Sequence, residues 1–444
     1  PRRAGTARGG GDRLPGRAGG RRAMMPRKKF TMLRRRSEFH SHYTVLDIGT
    51  EFVKALVVKR EDGTGIVIGV GKVRQSLSDM QSGAVADIQG VIDNCDRALT
   101  EAEDMCGTIP GQAVMGIAGE QVRGFSTTMT MPRPQPQARI TQADIATALQ
   151  AVQRRALKEA VRQMSHELGV AEVNVKLVHS SITAVHIDGY AVTNPLDFQG
   201  QVLEISVFNT FAPLTHIGAL QTIAQELDLE LVATVAEPYA LTRGCATEDV
   251  YEFGGVYVDV GGGTTDIAVV RRGIEAIRMF ALGGRSFTRR LANEVGMSLE
   301  EAERFKLAHA EGRLPAEQDA LARTVLEPTA EVLAEGVALT LEELSGKEPV
   351  PPAVYLAGGG SALPEVSEKL RALDWTEMLS MTRPPTIRVL GPDDVQGIHD
   401  STGLLVGSQD VTPMGLAYHA VSLEDDADQP LGGLMRRVMK AMKV

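Results

Sequence analysis

The chain has 444 residues, of which 43% are hydrophobic and 23% are charged, and its formal net charge is −9. This composition is ordinary for a globular protein and excludes a chain that is disordered throughout. Only 4% of the residues are aromatic, so stacking surfaces for single-stranded nucleic acid are not expected and no specific nucleic-acid partner is predicted.

The cysteines and the apolar segments place further bounds on the protein. Cys95, Cys106 and Cys245 follow no metal-ligand spacing and form no even set, which fits a reducing compartment such as the cytosol. No apolar stretch approaches the roughly 20 residues that a membrane-crossing helix needs. Any membrane contact is therefore predicted to be peripheral.

The first 42 residues contain thirteen Arg or Lys and only two acidic residues, so this tail carries +11 and the remainder of the chain −20. Repeated Gly and Pro without an apolar period predict disorder. Such a tail can bind nucleic acid or an anionic lipid surface. Because the chain begins with Pro, we favour the interpretation that translation starts at Met24, Met25 or Met32 and that much of the tail is upstream sequence.

The first predicted hairpin spans Tyr43 to Val58. An apolar strand leads to Asp47, the turn contains Gly49 and Thr50, and a second apolar strand follows. A glycine in such a turn lets backbone N–H groups approach an anion. The hairpin is therefore a candidate phosphate loop.

An amphipathic helix is predicted from Ile88 to Met105, and a strand from Ala113 to Gly119. After a proline-rich break, Thr141 has the position of a helix N-cap. Three strands are predicted behind that helix, over Val173–Val185, Tyr190–Val192 and Gln201–Phe208. These elements form a compact inserted α+β module.

The second half of the chain begins with the most informative segment, Asp259-Val-Gly-Gly-Gly-Thr-Thr-Asp266, which follows the apolar run 255–258. Successive glycines allow close approach to an anion, and the threonines add hydroxyl donors. Carboxylates at Asp259 and Asp266 would repel a phosphate unless a divalent cation lay between them. The segment therefore predicts a phosphate clamp with Mg²⁺, although glycine-rich turns also close ordinary hairpins.

Helices are predicted over Leu214–Glu226, Glu237–Cys245, Ser286–Val295 and Ala320–Leu344. Ser298 and Glu301 form a capping-box pattern that opens the helix with Glu303 and Lys306. A strand from Val354 ends in Gly358-Gly-Gly-Ser361 and is followed by a helix opening near Pro364, whose free N–H groups can face a ligand. A closing helix begins at Thr412.

Two Asp-Gly-Thr hairpins and a late Gly-Gly-Gly-Ser loop resemble the actin-like ATPase superfamily, which also includes heat-shock chaperones and sugar kinases. The inserted module, with Asn194-Pro195 before Gly200-Gln-Val-Leu-Glu204, resembles subdomain 1C of the cell-division family FtsA and its relative PilM. No Gly-x-x-x-x-Gly-Lys-Ser/Thr loop is present. The predicted fold is α/β, with two related α/β domains around a nucleotide cleft and an inserted strand-helix-strand-strand subdomain.

The resemblance also implies a domain organisation. The predicted segments are a basic tail (1–42), subdomain 1A (43–121 with 208–247 and 383–422), subdomain 1C (122–207), subdomain 2A (248–282 with 348–382), subdomain 2B (283–347), an acidic linker (423–430) and an amphipathic membrane-targeting helix (431–444).

The resemblance implies ATP and Mg²⁺ as cofactors and assigns roles to the motif residues. Asp47 and Asp259 are expected to hold hydrated Mg²⁺, and Glu237 is the candidate that orients the attacking water. Glu303 and Lys306 are expected near the ribose and adenine, with a solvated ion pair as the equally weighted alternative. The expected phosphate and adenosine contacts are Gly49, Thr50, Gly261, Gly262, Gly263, Thr264, Thr265, Gly358, Gly359, Gly360 and Ser361.

Some positions depart from the family pattern. Glu51 and Phe52 follow Thr50 where FtsA has a small polar and a basic residue, so an added negative charge is expected near the phosphates. Arg289 occupies a place that is often acidic. We therefore expect ATP binding with at most slow ATPase activity.

The C-terminal segment has an amphipathic helical pattern of the kind that lies in a membrane interface. An isolated helix this short is marginal in water, so it is expected to fold only on a surface. The alternative is a terminal helix docked on the protein's own core. The predicted membrane-contacting residues are Leu434, Met435, Arg436, Arg437, Val438, Met439, Lys440, Met442 and Lys443.

The FtsA resemblance implies a filament-forming cell-division protein that anchors the FtsZ ring to the inner face of the cytoplasmic membrane at the division site. Its implied partners are FtsZ, further copies of itself, anionic membrane lipids and other divisome proteins bound through subdomain 1C. The alternative is a PilM-like scaffold of a type IV pilus or secretion assembly platform. A sugar or metabolite kinase is a third possibility, but no segment plainly supplies its substrate carboxylate.

Overall fold

The computed structural model describes residues 42–171, 173–346, 348–379, 381, 383–428 and 431–442. The predicted tail lies outside these ranges except for residue 42. The strands are β1 (His42–Ile48), β2 (Phe52–Glu61), β3 (Thr64–Arg74), β4 (Met80–Gln81), β5 (Ala84–Val85), β6 (Gln112–Ile117), β7 (Arg123–Pro132), β8 (Val175–Ile187), β9 (Tyr190–Ala191), β10 (Val202–Pro213), β11 (Glu230–Ala236), β12 (Gly255–Val260), β13 (Thr265–Val270), β14 (Ile274–Phe280), β15 (Ala353–Ala357), β16 (Thr386–Val389) and β17 (Ile398–Asp400).

The helices are α1 (Ile88–Cys106), α2 (Gln142–Leu168), α3 (Leu214–Glu226), α4 (Glu237–Cys245), α5 (Glu248–Phe253), α6 (Gly284–Val295), α7 (Leu299–Ala310), α8 (Ala316–Ser345), α9 (Pro364–Ala372), α10 (Trp375–Met378), α11 (Val411–Asp428) and α12 (Gly432–Met442). Short 3₁₀ turns lie at Gly359–Ala362, Pro392–Asp394 and Ser408–Asp410.

The first sheet has the strand order β11-β6-β1-β2-β3-β17. Its predicted hairpin is confirmed, because β1 and β2 pair antiparallel with Asp47 opposite Lys54. Helix α1 packs against β2 and β3, while α11 packs against β1. The central strands are thus covered on both faces, which explains why they are continuous apolar runs in the sequence.

The second sheet has the order β16-β15-β12-β13-β14-β7-β10-β8-β9. In the second predicted hairpin β12 and β13 pair antiparallel, and Asp259 lies opposite Asp266. Strand β16 pairs in parallel with β15, so residues 386–389 belong to this sheet, although the sequence assigned 383–422 to the first subdomain. The other predicted subdomain boundaries remain a proposal.

The inserted module consists of β7, α2, β8, β9 and β10. Thr141 caps α2 as predicted: its Oγ1 accepts a hydrogen bond from the N–H of Asp144 (3.3 Å), and the Asp144 carboxylate accepts one from the N–H of Thr141 (2.8 Å). The sheet of this module continues the second sheet, because β7 pairs with β14 at Gly124 and Phe125.

The chain's acidic C-terminal segment differs from the prediction. Helix α11 runs through Asp428, so residues 423–428 are helical and not a flexible linker; residues 429 and 430 lie outside the described ranges. Arg60 on β2 forms ion pairs with Glu424 and Asp425, both at 2.6 Å. These ion pairs give the acidic residues a partner on the first sheet, which favours continuation of the helix.

Helix α12 is docked on the inserted module, contrary to the expectation that it folds only on a membrane surface. Leu434, Met435 and Val438 are buried in one cluster with apolar residues of α2, β8 and β10. The amphipathic pattern is thus satisfied by the protein itself, because α2 and α12 together cover one apolar face of the module's sheet.

Other predicted membrane contacts have different positions. Arg437 is exposed, and its guanidinium lies 3.4 Å from the Gln142 side-chain oxygen. The side chains of Arg436, Met439, Lys440 and Met442, and the whole of Lys443, lie outside the described part of the structure. Within the described residues, no helix is both long and apolar enough to span a membrane.

Candidate functional site

The two predicted phosphate loops face each other across a cleft between the sheets. A Cβ atom on Gly262 would lie 2.8 Å from Cβ of Glu51, and one on Gly263 would lie 2.7 Å from Oγ1 of Thr50. Only residues without a side chain allow such an approach. The glycines therefore serve the contact between the loops as well as any contact with a ligand.

The cleft encloses a cavity of about 410 Å³, a volume within the range of small-molecule sites. Most of the predicted residues line it, and residues from both hairpins, the Gly-Gly-Gly loop and α7 meet there. They are Asp47, Gly49, Thr50, Glu237, Asp259, Gly261, Gly262, Thr264, Glu303, Lys306, Gly358, Gly359 and Gly360.

Three predicted residues are absent from the lining. The Thr265 hydroxyl donates to the carbonyl of Leu282 (2.7 Å), and the Ser361 hydroxyl donates to the carbonyl of Gly358 (2.7 Å). Gly263 packs on Thr50. The described contacts of these three residues support the backbone of the loops, and their predicted contact with a nucleotide stays a prediction.

Buried carboxylates dominate the electrostatics of the cleft. The pKa of Asp47 is raised to about 6, chiefly by burial; Lys54 lowers it, and the negative charges of Asp259 and Asp410 add to the rise. Burial, followed by repulsion from Asp47 and Asp266, raises the pKa of Glu237 well above its usual value. Carboxylates thus crowd the cleft, and a bound cation would relieve their mutual repulsion.

These oxygens fit Mg²⁺ bound together with phosphate. Asp266 supports this fit, because its Oδ1 is buried without a hydrogen-bond partner among the described residues. In the described part of the chain, no three His, Cys, Asp or Glu side chains converge closely enough to hold a bare ion. Mg²⁺ commonly uses one or two carboxylates plus water and phosphate, and Asp47 and Asp259 can supply such a pair.

Lys54 lies in the cleft and was not among the predicted site residues. Its Nζ is 4.0 Å from Asp47 Oδ2 and 3.5 Å from Asp410 Oδ1, and it donates to the carbonyl of Gln409. Lysine is almost never fully buried without a partner. A lysine inside the apolar strand 52–58 could therefore have been recognised from the sequence as a site residue. Its partners, residues 409 and 410, could not be identified, because they are distant in the chain.

Thr412 and Gly358 hold the Asp259 carboxylate in place. The Thr412 hydroxyl donates to Asp259 Oδ2. Gly358 has φ +81°, and a Cβ there would overlap Asp259 Oδ1. Glycine at this position thus satisfies both the left-handed backbone and the close approach.

Glu303 and Lys306 form a buried ion pair, and not the solvated pair that was the alternative. Lys306 Nζ lies 2.8 Å from Glu303 Oε2 and donates to Thr288 Oγ1 (2.9 Å) and to the carbonyl of Gly284 (3.1 Å). This network ties α7 to the start of α6 at the cleft wall.

Glu51 does not add free negative charge beside the phosphate loops. Its carboxylate contacts Arg74 Nε at 2.6 Å and Arg285 Nε at 2.8 Å. Arg285 also donates to the carbonyl of Thr50 (2.5 Å). The expected charge effect is corrected: two guanidiniums neutralise Glu51, and Arg285 links α6 to the first hairpin.

Comparisons with known proteins agree with this geometry. The family model described as "Cell division protein FtsA" matches residues 256–400. The cell division protein FtsA of Bacillus subtilis (strain 168) is 26% identical over 344 residues, which are 73% of this chain and 74% of that protein. FtsA of Neisseria meningitidis serogroup B is 25% identical over 424 residues, 89% of this chain and 94% of that protein.

Among solved structures, the PilM-PilN type IV pilus biogenesis complex contains a chain that superimposes with a TM-score of 0.61. It is 17% identical and covers 85% of this chain and 98% of the other, so it bears on the fold alone. The predicted resemblance to FtsA is confirmed by the sequence comparisons, and the predicted fold, that of actin-like ATPases, is confirmed by the structural one.

Proposed function

We propose that the chain binds ATP with Mg²⁺ in the cleft, assembles into filaments, and anchors an FtsZ ring to the inner face of the cytoplasmic membrane during cell division. The observation that supports this most strongly is the pair of glycine loops closed around buried carboxylates, in a chain similar to FtsA over most of its length. Mg²⁺ bound with the phosphates would neutralise their charge during slow hydrolysis.

Each side chain of the cleft has a distinct task in this proposal. Asp47 and Asp259 hold the hydrated ion, and Thr412 keeps Asp259 in position. Lys54 balances the carboxylates of the first hairpin. Glu237, at the start of α4, orients a water molecule for attack and accepts its proton, a role that depends on geometry first. Glu303 and Lys306 contact the nucleoside end.

Membrane attachment must involve release of α12 from the inserted module. Its three buried apolar side chains, Leu434, Met435 and Val438, can be buried either in their present site or in lipid, but not in both. One short helix gives only reversible binding, whereas many helices arrayed on a filament bind firmly. We therefore propose that α12 is docked in the monomer and is transferred to the membrane when subunits assemble there.

The test is recruitment of FtsZ to vesicles that contain anionic lipid. Fluorescent FtsZ is mixed with vesicles, ATP, Mg²⁺ and either the chain from Met25 onward or the same chain ending at Gln429. FtsZ is expected on the vesicles only with the longer chain. Recruitment by both versions, or by neither, would contradict the anchoring role.

The docked position of α12 favours a second candidate, a PilM-like scaffold of a pilus or secretion platform that uses the helix only to complete its fold. Such a scaffold would reach the membrane through its partner, so deletion of residues 431–444 would leave its location in cells unchanged. An anchor would be lost from the membrane by the same deletion.

A further inference from the structure

We infer that the free edge of β7, together with the basic face of α2, binds an extended acidic segment of a partner protein by strand addition. This inference rests on the recruiting role that we propose for the inserted module in binding other divisome proteins. It names the surface and the chemistry that this role requires.

The edge is open over the second half of β7. Strand β10 pairs with β7 along one side from Arg123 to Pro132. On the other side β14 pairs only at Gly124 and Phe125, and among the described residues no strand continues that side beyond them. An unpaired strand edge of this kind is a template for an added strand.

The ladder shows which backbone groups are available. Arg133 donates its N–H to the carbonyl of Gln201 (2.7 Å) at the end of the β7–β10 pairing. Because donors alternate along a strand, Thr128 and Thr130 direct their N–H and C=O groups away from β10. Both residues are exposed. Pro132 occupies the next outward position, where a missing N–H is tolerated.

A groove of about 750 Å³ runs between this edge and α2. Its strand side includes Phe125, Thr127 and Met129, and its helix side includes basic residues spaced so that they share one helix face. A bound strand would therefore contact both the partly apolar residues of β7 and the basic face of α2.

The basic face of α2 determines which charge a bound segment must carry. Arg154, Arg155, Lys158 and Arg162 are all exposed, and Glu159 is the acidic residue among them. Glu159 pairs with Arg162 at 2.5 Å, while neither Arg154 nor Lys158 forms a salt bridge with any residue that the structure describes. Acidic side chains on a docked strand would complement these cations.

The test uses a labelled synthetic peptide of about seven residues, the length that spans such an edge at about 3.3 Å per residue, with Glu and Val alternating. Binding is measured by fluorescence anisotropy, with a Lys–Val peptide as the control ligand. We expect the acidic peptide to bind and the basic peptide not to bind.

Two variants test separately how the strand edge and the basic face of α2 contribute to peptide binding. Thr130→Pro removes an outward N–H while leaving the pairing with β10 intact. Arg154→Glu/Lys158→Glu reverses the charge at two positions on the basic face of α2. Each is expected to weaken binding about tenfold or more. The control Arg313→Glu/Arg371→Glu makes the same charge change at exposed positions outside the module and is expected to bind normally.

The inference is overturned if the acidic peptide does not bind, if both groove variants bind it as the unchanged chain does, or if only anionic vesicles are bound through the groove. ATP binding and tail-dependent vesicle binding are measured on the same variants. Both are expected to be unchanged, so that failure of the strand site is distinguished from failure of the proposed function.

Discussion

Glu237 lies in the cleft with three further carboxylates around it. Their repulsion bears on both its proposed role in hydrolysis and the stability of the folded chain. Burial and the charges of Asp47, Asp266 and Asp259 raise its pKa. We predict that Glu237→Gln slows ATP hydrolysis about a hundredfold, because a positioned base contributes at least that much. The same change is expected to raise the unfolding free energy of the unliganded protein by about 1 kcal/mol, because the raised pKa makes ionisation of Glu237 favour the unfolded chain and glutamine does not ionise.

The measurements are phosphate release and urea unfolding of the two proteins. Glu248→Gln, at an exposed position on the neighbouring α5, is the matched control and should change neither quantity. An unchanged hydrolysis rate in Glu237→Gln would remove Glu237 from its proposed role.

Two buried histidines predict how stability responds to acid. Burial lowers the pKa of His216 to about 4 and, with a smaller contribution from Arg243, the pKa of His419 to about 4. The unfolded chain therefore binds more protons than the folded chain below about pH 6.5, and each histidine reduces stability as the pH falls from there toward about 4.

This effect can be isolated with His419→Phe, because the carboxylates of the cleft are the same in both proteins. Relative to the variant, the unchanged chain is expected to lose about 2 kcal/mol of unfolding free energy between about pH 7 and about pH 5. Urea unfolding at the two pH values measures this difference. A difference that is independent of pH would mean that His419 is not held neutral in the folded state.

At the scale of elements, α12 provides the clearest test of how the anchor is used. The Met435 sulfur lies 3.5 Å from Gln153 Nε2 and 3.6 Å from Ser180 Oγ. A disulfide in the variant Ser180→Cys/Met435→Cys would hold α12 on the module. We predict that the oxidised variant loses vesicle binding and that a reductant restores it.

Ser180→Cys alone, treated with the same oxidant, is the control and should bind vesicles throughout. If the oxidised double variant binds vesicles as well as its reduced form does, α12 need not leave the module, and the proposed transfer to the membrane is wrong.

The contrast between α4 and α12 shows what the sequence could predict. The bounds of α4, Glu237–Cys245, were predicted correctly because Glu237-Pro238 is a strong local start signal. The helical period of α12 was also readable, but its partner was not. Burial of Leu434 depends on a face of the inserted module that the chain forms more than two hundred residues earlier, and periodicity does not identify which surface covers an apolar face.

The same distinction applies to the site. Asp47, Asp259 and the glycines stand in local motifs, so their place in the cleft could be predicted. Lys54 and Thr412 act through contacts with residues far away in the chain. Glu51 was misjudged for the same reason, because its partner Arg285 lies on the other side of the cleft.

At the scale of the whole molecule, Arg285 joins the two halves. It bonds to Glu51 and to the Thr50 carbonyl from α6 in the other half. We predict that Arg285→Ala speeds release of a fluorescent ATP analogue about tenfold, because the loops lose a charge-assisted contact that holds them together. Arg304→Ala, on the exposed side of α7, should leave the release rate unchanged; equal rates in all three proteins would show that this contact does not close the cleft.

The most direct test of the central claim is co-sedimentation with anionic vesicles, with and without ATP and Mg²⁺. The chain from Met25 onward is compared with the version that ends at Gln429. An ATP-dependent membrane anchor predicts that only the longer chain pellets with vesicles, and that it does so when ATP and Mg²⁺ are present. If both versions stay in the supernatant, or both pellet equally, the C-terminal helix is not a membrane anchor.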